Sequence, residues 1–214
     1  GGAAEGTVTV LKTDGSDPLA GAELALYNVE KLSTQAGQTI AADTQLCTWT
    51  SGTDAKDISK WILPGAKYVI RETKTPGGYA KAWDKEYTAA ATVAEEQIKI
   101  IDSKVKEGSD AGAFPKVAVK DSDQDSFLEG ISLTVEKTVI TTVKDSSGTV
   151  TDSSVTETAT QVGAFSSEAD YTVIDLSSFY GEVNAPTTDS SGNTTETEVL
   201  LTLKENSLAS GYRY

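Results

Sequence analysis

Hydrophobic and polar residues alternate over short stretches along the first half of the chain, as in β-strands that bury one face. Turns rich in Gly, Pro, Asp and Ser separate these stretches. No stretch keeps a helical period. The strands predicted from this pattern are 6–12, 22–27, 46–50, 68–74, 87–93 and 97–103. Many short strands joined by frequent turns predict an all-β fold of the β-sandwich type.

Three ionisable residues fall on the apolar face of their strands. The apolar residues that share a face with each are Val8 and Val10 for Lys12, Tyr68 and Ile70 for Glu72, and Ile98 and Ile100 for Asp102. Because burying an unpaired charge is costly, we expect these three groups to meet and neutralise one another. A plain salt bridge, buried or at the surface, is the alternative, since charged residues are common at strand ends.

The segments LKTD…PLAGAELALY, RETKTPGGY and IKIIDSK follow one another in residues 6–105. Together they resemble the Cna protein B-type (CnaB, SpaA-like pilin) domain of Gram-positive adhesins and pilins. The resemblance implies an immunoglobulin-like sandwich in which a first-strand lysine condenses with an Asn or Asp of the last strand. By position it implies that Lys12 is the nucleophile, Asp102 the acceptor and Glu72 the catalytic acid of an intramolecular isopeptide bond.

The chemistry of this bond requires neutral reactants. A protonated amine has no lone pair with which to attack, and an ionised carboxylate is a poor electrophile. Burial in an apolar core favours the neutral forms of amines and carboxylic acids, and Glu72 could then move protons to and from the reacting atoms. With aspartate as the acceptor, the reaction releases water and not ammonia.

The second half of the chain repeats part of this pattern. VAVKDSD…FLEGISLTV echoes the first two strands, and LTLKENSLASGYRY echoes the RETKTPGGY segment. A repeat at this spacing predicts two tandem immunoglobulin-like domains, 1–106 and 107–214. Lys120 aligns with Lys12 as a possible crosslinking lysine, and Glu205 aligns with Glu72 as a possible catalytic acid.

The second copy departs from the first in three ways. An insertion around 138–161 predicts an extra hairpin that turns at DSSG. Lys120 shares its parity with Ala118 and not with the neighbouring valines, so its inward direction would require a bulge. The sequence ends two residues after Tyr212, so the last strand with its acceptor is expected to be lacking. We expect such a domain to be completed by further residues or by a strand from another molecule.

Composition narrows the classes of function. The net charge is −14 and there is no histidine, which argues against nucleic acid and against docking on an anionic membrane. No apolar run approaches the length of a membrane span, so no membrane insertion is expected in this segment. The single cysteine excludes an internal disulfide. No cofactor is expected and no metal site, since the Asp121–Asp125 turn lacks the glycine and glutamate of a calcium loop.

The resemblance implies a stalk or shaft segment of an extracellular, cell-wall-attached protein of a Gram-positive bacterium, and the acidic composition agrees with this. Its partners would be neighbouring pilin or adhesin domains, and its chemistry a single-turnover self-crosslinking and not enzymatic catalysis. The alternative is an adhesive domain that binds a host extracellular protein or glycan through the insertion. That alternative predicts an exposed cluster among the aromatic residues Phe165, Tyr171, Phe179 and Tyr180.

Overall fold

The computed structural model describes residues 6–180 and 185–206, and for residues 152 and 153 it describes the backbone alone. Apart from three short 3-10 helices (Ser59–Trp61, Gly108–Ala113 and Ser177–Tyr180), the regular structure in these residues is β. The all-β fold class is therefore confirmed. The strands are β1 (Val8–Thr13), β2 (Glu23–Asn28), β3 (Leu32–Ser33), β4 (Thr39–Ile40), β5 (Gln45–Thr50), β6 (Lys56–Asp57), β7 (Lys67–Lys74), β8 (Lys85–Thr88), β9 (Glu96–Ile101), β10 (Lys116–Val117), β11 (Ser132–Lys144), β12 (Val150–Ser166), β13 (Thr172–Val173), β14 (Thr187–Thr188) and β15 (Thr194–Glu205).

Two sheets form the sandwich of the first part of the chain. One has the strand order β6-β1-β9 and the other the order β5-β2-β7-β8. β1 and β9, the first and last strands of this part, run parallel as neighbours, with Lys12 opposite Ile100. In the other sheet, β2 pairs antiparallel with β7 and places Leu24 opposite Glu72. The apolar faces of both sheets contribute to one core.

The structure buries the strand faces that the alternation of residues predicts to be buried. The apolar residues that were assigned to the faces of Lys12, Glu72 and Asp102 all lie in the core: Val8, Val10, Tyr68, Ile70, Ile98 and Ile100. β-Branched and aromatic side chains pack well on such half-buried pleated surfaces. Burial of these side chains removes their apolar area from water, which is the main favourable contribution to folding.

A segment from much later in the chain joins this first compact unit. The unit comprises the residues up to Ile131 together with Phe165–Asp175. The Lys81 amide donates to the carbonyl of Val173 at 2.8 Å. The Phe165 ring, 1% exposed, packs edge-on against Trp83 with ring centroids 5.7 Å apart. This compact unit therefore contains residues from both sides of the predicted division at residues 106 and 107, and the two tandem domains stay a prediction.

The second compact unit is built around the predicted hairpin. It contains Ser132–Ala164 and the residues from Leu176 onward, and its sheet has the strand order β12-β11-β15-β14. The turn after β11 uses the DSSG segment: the Asp145 carboxylate accepts from the amides of Ser147 and Thr149, and Gly148 takes a φ of +78°. Glycine adopts this left-handed conformation without strain. The hairpin strands extend beyond the predicted 138–161 at both ends.

We expect Phe165→Ala to destabilise the first unit by about 3–5 kcal/mol, because it empties a fully packed ring position. The three tryptophans all lie in this unit, so urea unfolding followed by tryptophan fluorescence reports on it. Tyr180→Ala, which removes a partly exposed ring from the other unit, is the matched control and should leave the transition unchanged. An unchanged transition in Phe165→Ala would contradict the assignment of 165–175 to the first unit.

Candidate functional site

Three strands bring Lys12, Glu72 and Asp102 to one point in the core of the sandwich. Lys12 lies near the end of β1, and Asp102 directly follows the parallel neighbour β9. The Asp102 amide donates to the Thr13 carbonyl at 3.0 Å, which fixes the backbone beside the acceptor. Glu72 comes from β7 in the opposite sheet. The geometry therefore joins the two sheets through one amine and two carboxyl groups.

The three groups are in direct contact and excluded from water. Lys12 Nζ lies 2.5 Å from Asp102 Oδ1 and 3.1 Å from Glu72 Oε2. The side chains of all three are at most 1% exposed. Lys12 Nζ also donates to the Ile100 carbonyl at 3.4 Å. An amine in direct contact with a buried carboxyl group is placed for reaction with it.

Burial shifts both carboxyl groups toward their protonated forms. Desolvation, followed by the neighbouring charge of Asp102, raises the pKa of Glu72 to about 8. Desolvation also raises the pKa of Asp102, while Lys12 opposes the rise. At neutral pH Glu72 is therefore mainly protonated and can act as a general acid.

Further polar residues surround Glu72 on the side away from Lys12. Thr75 Oγ1 lies 2.8 Å from Glu72 Oε1 and 2.8 Å from Glu168 Oε2. Lys81 Nζ lies 3.3 Å from the same Glu168 oxygen. Sequence reasoning missed Thr75, Lys81 and Glu168. Thr75 and Glu168 are 93 positions apart, and no local periodicity or spacing marks such a contact.

Lys120 and Glu205, the residues aligned with Lys12 and Glu72, have different surroundings. The Lys120 side chain is 31% exposed; its Nζ lies 3.3 Å from Asp125 Oδ1 and 4.8 Å from the centroid of the Phe127 ring. Glu205, at the end of β15 in the other compact unit, lies opposite Leu133. Tyr212, aligned with Tyr79, lies outside the described residues. A second tandem domain with its own crosslinking pair stays a prediction.

A metal site and a membrane-spanning helix are both absent from residues 6–180 and 185–206. This part of the chain contains no group of three or more His, Cys, Asp or Glu side chains that could hold a metal ion. Within the same residues, no helix has the length and apolar character needed to cross a bilayer.

The family of the first domain follows from its sequence together with this fold. The model of the SpaA family, described as a prealbumin-like fold domain, matches residues 6–106. Residues 6–106 are a SpaA domain. The match covers the whole sandwich, including Lys12, Glu72 and Asp102. No curated protein matches the chain.

Solved structures with detectable similarity include two pilins and one further protein. The shaft pilin SpaA from Lactobacillus rhamnosus GG is 17% identical, with 97% of this chain and 90% of that chain covered and a TM-score of 0.28. The streptococcal ancillary pilin is 17% identical, with 88% and 57% covered and a TM-score of 0.29. The Bacillus anthracis TIE protein is 15% identical, with 80% and 31% covered and a TM-score of 0.30.

The raised pKa values predict how stability depends on pH when the lysine is absent. In Lys12→Met the folded protein keeps protons on Glu72 and Asp102 that the unfolded chain releases above about pH 4. Because the folded state then binds more protons, the free energy of unfolding should fall as pH rises from 5 to 8, by up to about 1.4 kcal/mol per pH unit for each acid. Urea unfolding at several pH values measures this slope.

The matched control for this experiment carries no buried acid. Lys12→Met combined with Glu72→Gln and Asp102→Asn should lose the additional slope and keep only the pH dependence of the surface charges. If Lys12→Met alone has the same slope as this triple variant, the two carboxyl groups do not hold their protons in the fold.

Proposed function

We propose that the SpaA domain crosslinks itself through an isopeptide bond between Lys12 and Asp102, with Glu72 as the catalytic acid. We further propose that the protein is a structural stalk or shaft segment of a pilus or adhesin on the outside of a Gram-positive bacterium. The observation that carries this proposal is the contact of one buried amine with two buried carboxyl groups. The surface setting rests on the family of the domain.

The reaction proceeds from the neutral forms of the three groups. The lone pair of Lys12 Nζ attacks the carboxyl carbon of Asp102, and Glu72 gives a proton to the oxygen that gains charge. Glu72 then takes a proton from the nitrogen and delivers it to the leaving hydroxyl group. As the amide carbonyl forms, Glu72 takes back the proton that it first gave to the remaining oxygen. One amide bond forms, one water molecule leaves and Glu72 regains its original state. Each molecule reacts once, so this is self-modification and not enzymatic turnover.

A bond at this position would carry tension through the domain. Lys12 lies near the start of the domain and Asp102 near its end, so a pull on residues 6 and 106 would pass from β1 to β9 through covalent bonds. The parallel hydrogen bonds between β1 and β9 would otherwise bear the load alone. A covalent link between first and last strands suits a protein that is stretched on a cell surface.

The bond predicts a mass deficit of one water molecule in the denatured wild-type protein. Glu72→Ala should restore the full mass, because the reaction loses its proton carrier. Intact-mass spectrometry measures the deficit, and fragmentation of a proteolytic digest should yield one branched peptide that joins Lys12 to Asp102. Glu86→Ala, which removes an exposed glutamate from β8, should retain the deficit. A full wild-type mass would contradict the proposal, and Lys12, Glu72 and Asp102 would then form a buried ionic cluster.

The bond also predicts a gain in stability. It would close a loop of about 90 residues, worth roughly 4–5 kcal/mol on the chain-entropy model. Glu72→Gln, which keeps the size of the side chain but blocks proton transfer, should lose this amount in urea unfolding. In single-molecule stretching between residues 6 and 106, the wild type should not release the length between residues 12 and 102, whereas Glu72→Gln should. Equal extension in both proteins would contradict a mechanical role.

A second candidate function is adhesion through the second unit, and one observation favours it. Four of its large aliphatic side chains are exposed: Val150, Val155, Leu200 and Leu203. They are suited to contacts with a protein surface. Of the residues in the expected aromatic cluster, Phe165 is buried, whereas Tyr171 and Tyr180 are exposed. The Tyr171 ring packs edge-on against Phe127. Aliphatic residues favour a host protein over a glycan as the ligand of this candidate function.

A further inference from the structure

The Glu168 carboxylate is held by four donors in the first compact unit. Its Oε1 accepts from the Thr75 amide at 3.1 Å. Its Oε2 lies 2.8 Å from Thr75 Oγ1, 3.2 Å from Thr172 Oγ1 and 3.3 Å from Lys81 Nζ. Hydrogen bonds to an ionised acceptor are stronger than those to a neutral one, and a lysine partner favours the ionised form. Glu168 is therefore a carboxylate in this setting.

The Lys81 ammonium group that faces Glu168 is itself fixed. Its side chain is fully buried, and Nζ donates to the Ser166 carbonyl at 2.6 Å. A buried ammonium group without a carboxylate partner would be strongly destabilising. Lys81 and Glu168 thus form a buried ion pair. The hydrogen bond from the Lys81 amide to the Val173 carbonyl holds the segment around Lys81 against residues 165–175.

The Thr75 hydroxyl group connects this ion pair to Glu72. It has one hydrogen to donate, yet it lies 2.8 Å from an oxygen of each glutamate. Two ionised carboxylates cannot both accept that one hydrogen. Glu168 is the ionised group, so the hydroxyl donates to Glu168, and no hydrogen remains on Thr75 to stabilise an ionised Glu72. Because a hydrogen bond from Thr75 would lower the pKa of Glu72, the competition of Glu168 for this hydrogen favours the protonated form of Glu72.

We propose that Glu168, fixed by Lys81 and acting through Thr75, is a positioning residue that holds Glu72 in its protonated form for isopeptide formation. This inference rests on the proposed function of the SpaA domain. It assigns residues 165–175, beyond the matched 6–106, a part in the chemistry of that domain. Glu168 does not touch the reacting atoms and acts through one hydrogen bond and its charge.

The charged groups around this chain of hydrogen bonds are few. Lys12 and Asp102 face Glu72 on the side of the reaction. Asp84 forms an ion pair with Arg71 and interacts electrostatically with Lys81. The Glu168→Gln substitution alters none of these residues. A change in the pH dependence of Glu168→Gln therefore reports the loss of the Glu168 charge.

The test measures the rate of bond formation against pH. Full-length chain is isolated in unfolded, unlinked form from inclusion bodies, diluted into buffers from pH 5 to 9, quenched at intervals and analysed by intact mass. In Glu168→Gln, Glu72 should release its proton more readily, since the nearby anion is gone and Thr75 can turn to donate to Glu72. We expect an about tenfold slower reaction at pH 7.5, and a fall in rate that begins about one pH unit lower than in wild type.

A pair of Thr75 variants separates this role from support of the fold. Thr75→Val removes the hydroxyl group that could turn to Glu72 but leaves Lys81 and Glu168 paired. In this variant Glu168→Gln should therefore change the rate and pH profile less than in the wild type, whereas Thr75→Ser should keep the full change. Glu129→Gln removes an exposed glutamate from the same unit and should match wild type in rate and pH profile.

The outcomes distinguish the two proposals. If the wild type never loses water, the proposed function itself fails. If the wild type links but Glu168→Gln keeps its rate and pH profile, only the positioning role of Glu168 is overturned. A lower yield of folded protein with an unchanged pH profile would also overturn it, because that result assigns Glu168 to stability alone.

Discussion

The first domain depends on how one buried amine is neutralised. Lys12 lies in an apolar core where a lone ammonium group would cost several kcal/mol, and two carboxyl groups meet it from opposite sheets. The rest of the sandwich holds this contact. β1 and β9 fix the amine beside its acceptor, and β7 brings Glu72 across the core. Formation of an amide would remove the charges altogether, so the same burial that makes an ion pair costly favours the neutral product.

On the proposed function, the strand order would make this local chemistry a source of mechanical strength. The first and last strands of the domain are parallel neighbours, so tension on the two ends slides one strand along the other and loads the hydrogen bonds between them together. A crosslink between these same two strands would act where the load is greatest. A bond between two neighbouring residues of a hairpin would enclose little chain and carry no tension between the ends.

Alternation of residues was sufficient to predict much of this site. Val8, Val10 and Lys12 follow a period of two, as do the residues before Glu72 and Asp102, so burial on a common face could be inferred without coordinates. The short β3–β4 hairpin has no counterpart among the predicted strands, because two-residue strands leave no periodic signal. Glu168 could not be found at all, because its position beside Thr75 depends on how 165–175 packs on the sandwich, and no spacing in the sequence encodes that packing.

Because Glu168 lies outside residues 6–106, its proposed contribution makes bond formation depend on the order in which the segments fold. The sandwich of residues 6–106 contains the amine, the acceptor and the acid, so it could assemble as soon as these residues leave the ribosome. The carboxylate that holds the proton of Glu72 belongs to a segment synthesised later, and it reaches Thr75 only when Phe165 and Val173 have packed against residues 81–83. On this proposal, efficient crosslinking follows completion of the whole first unit, so the bond would lock a sandwich that has already acquired its later segment.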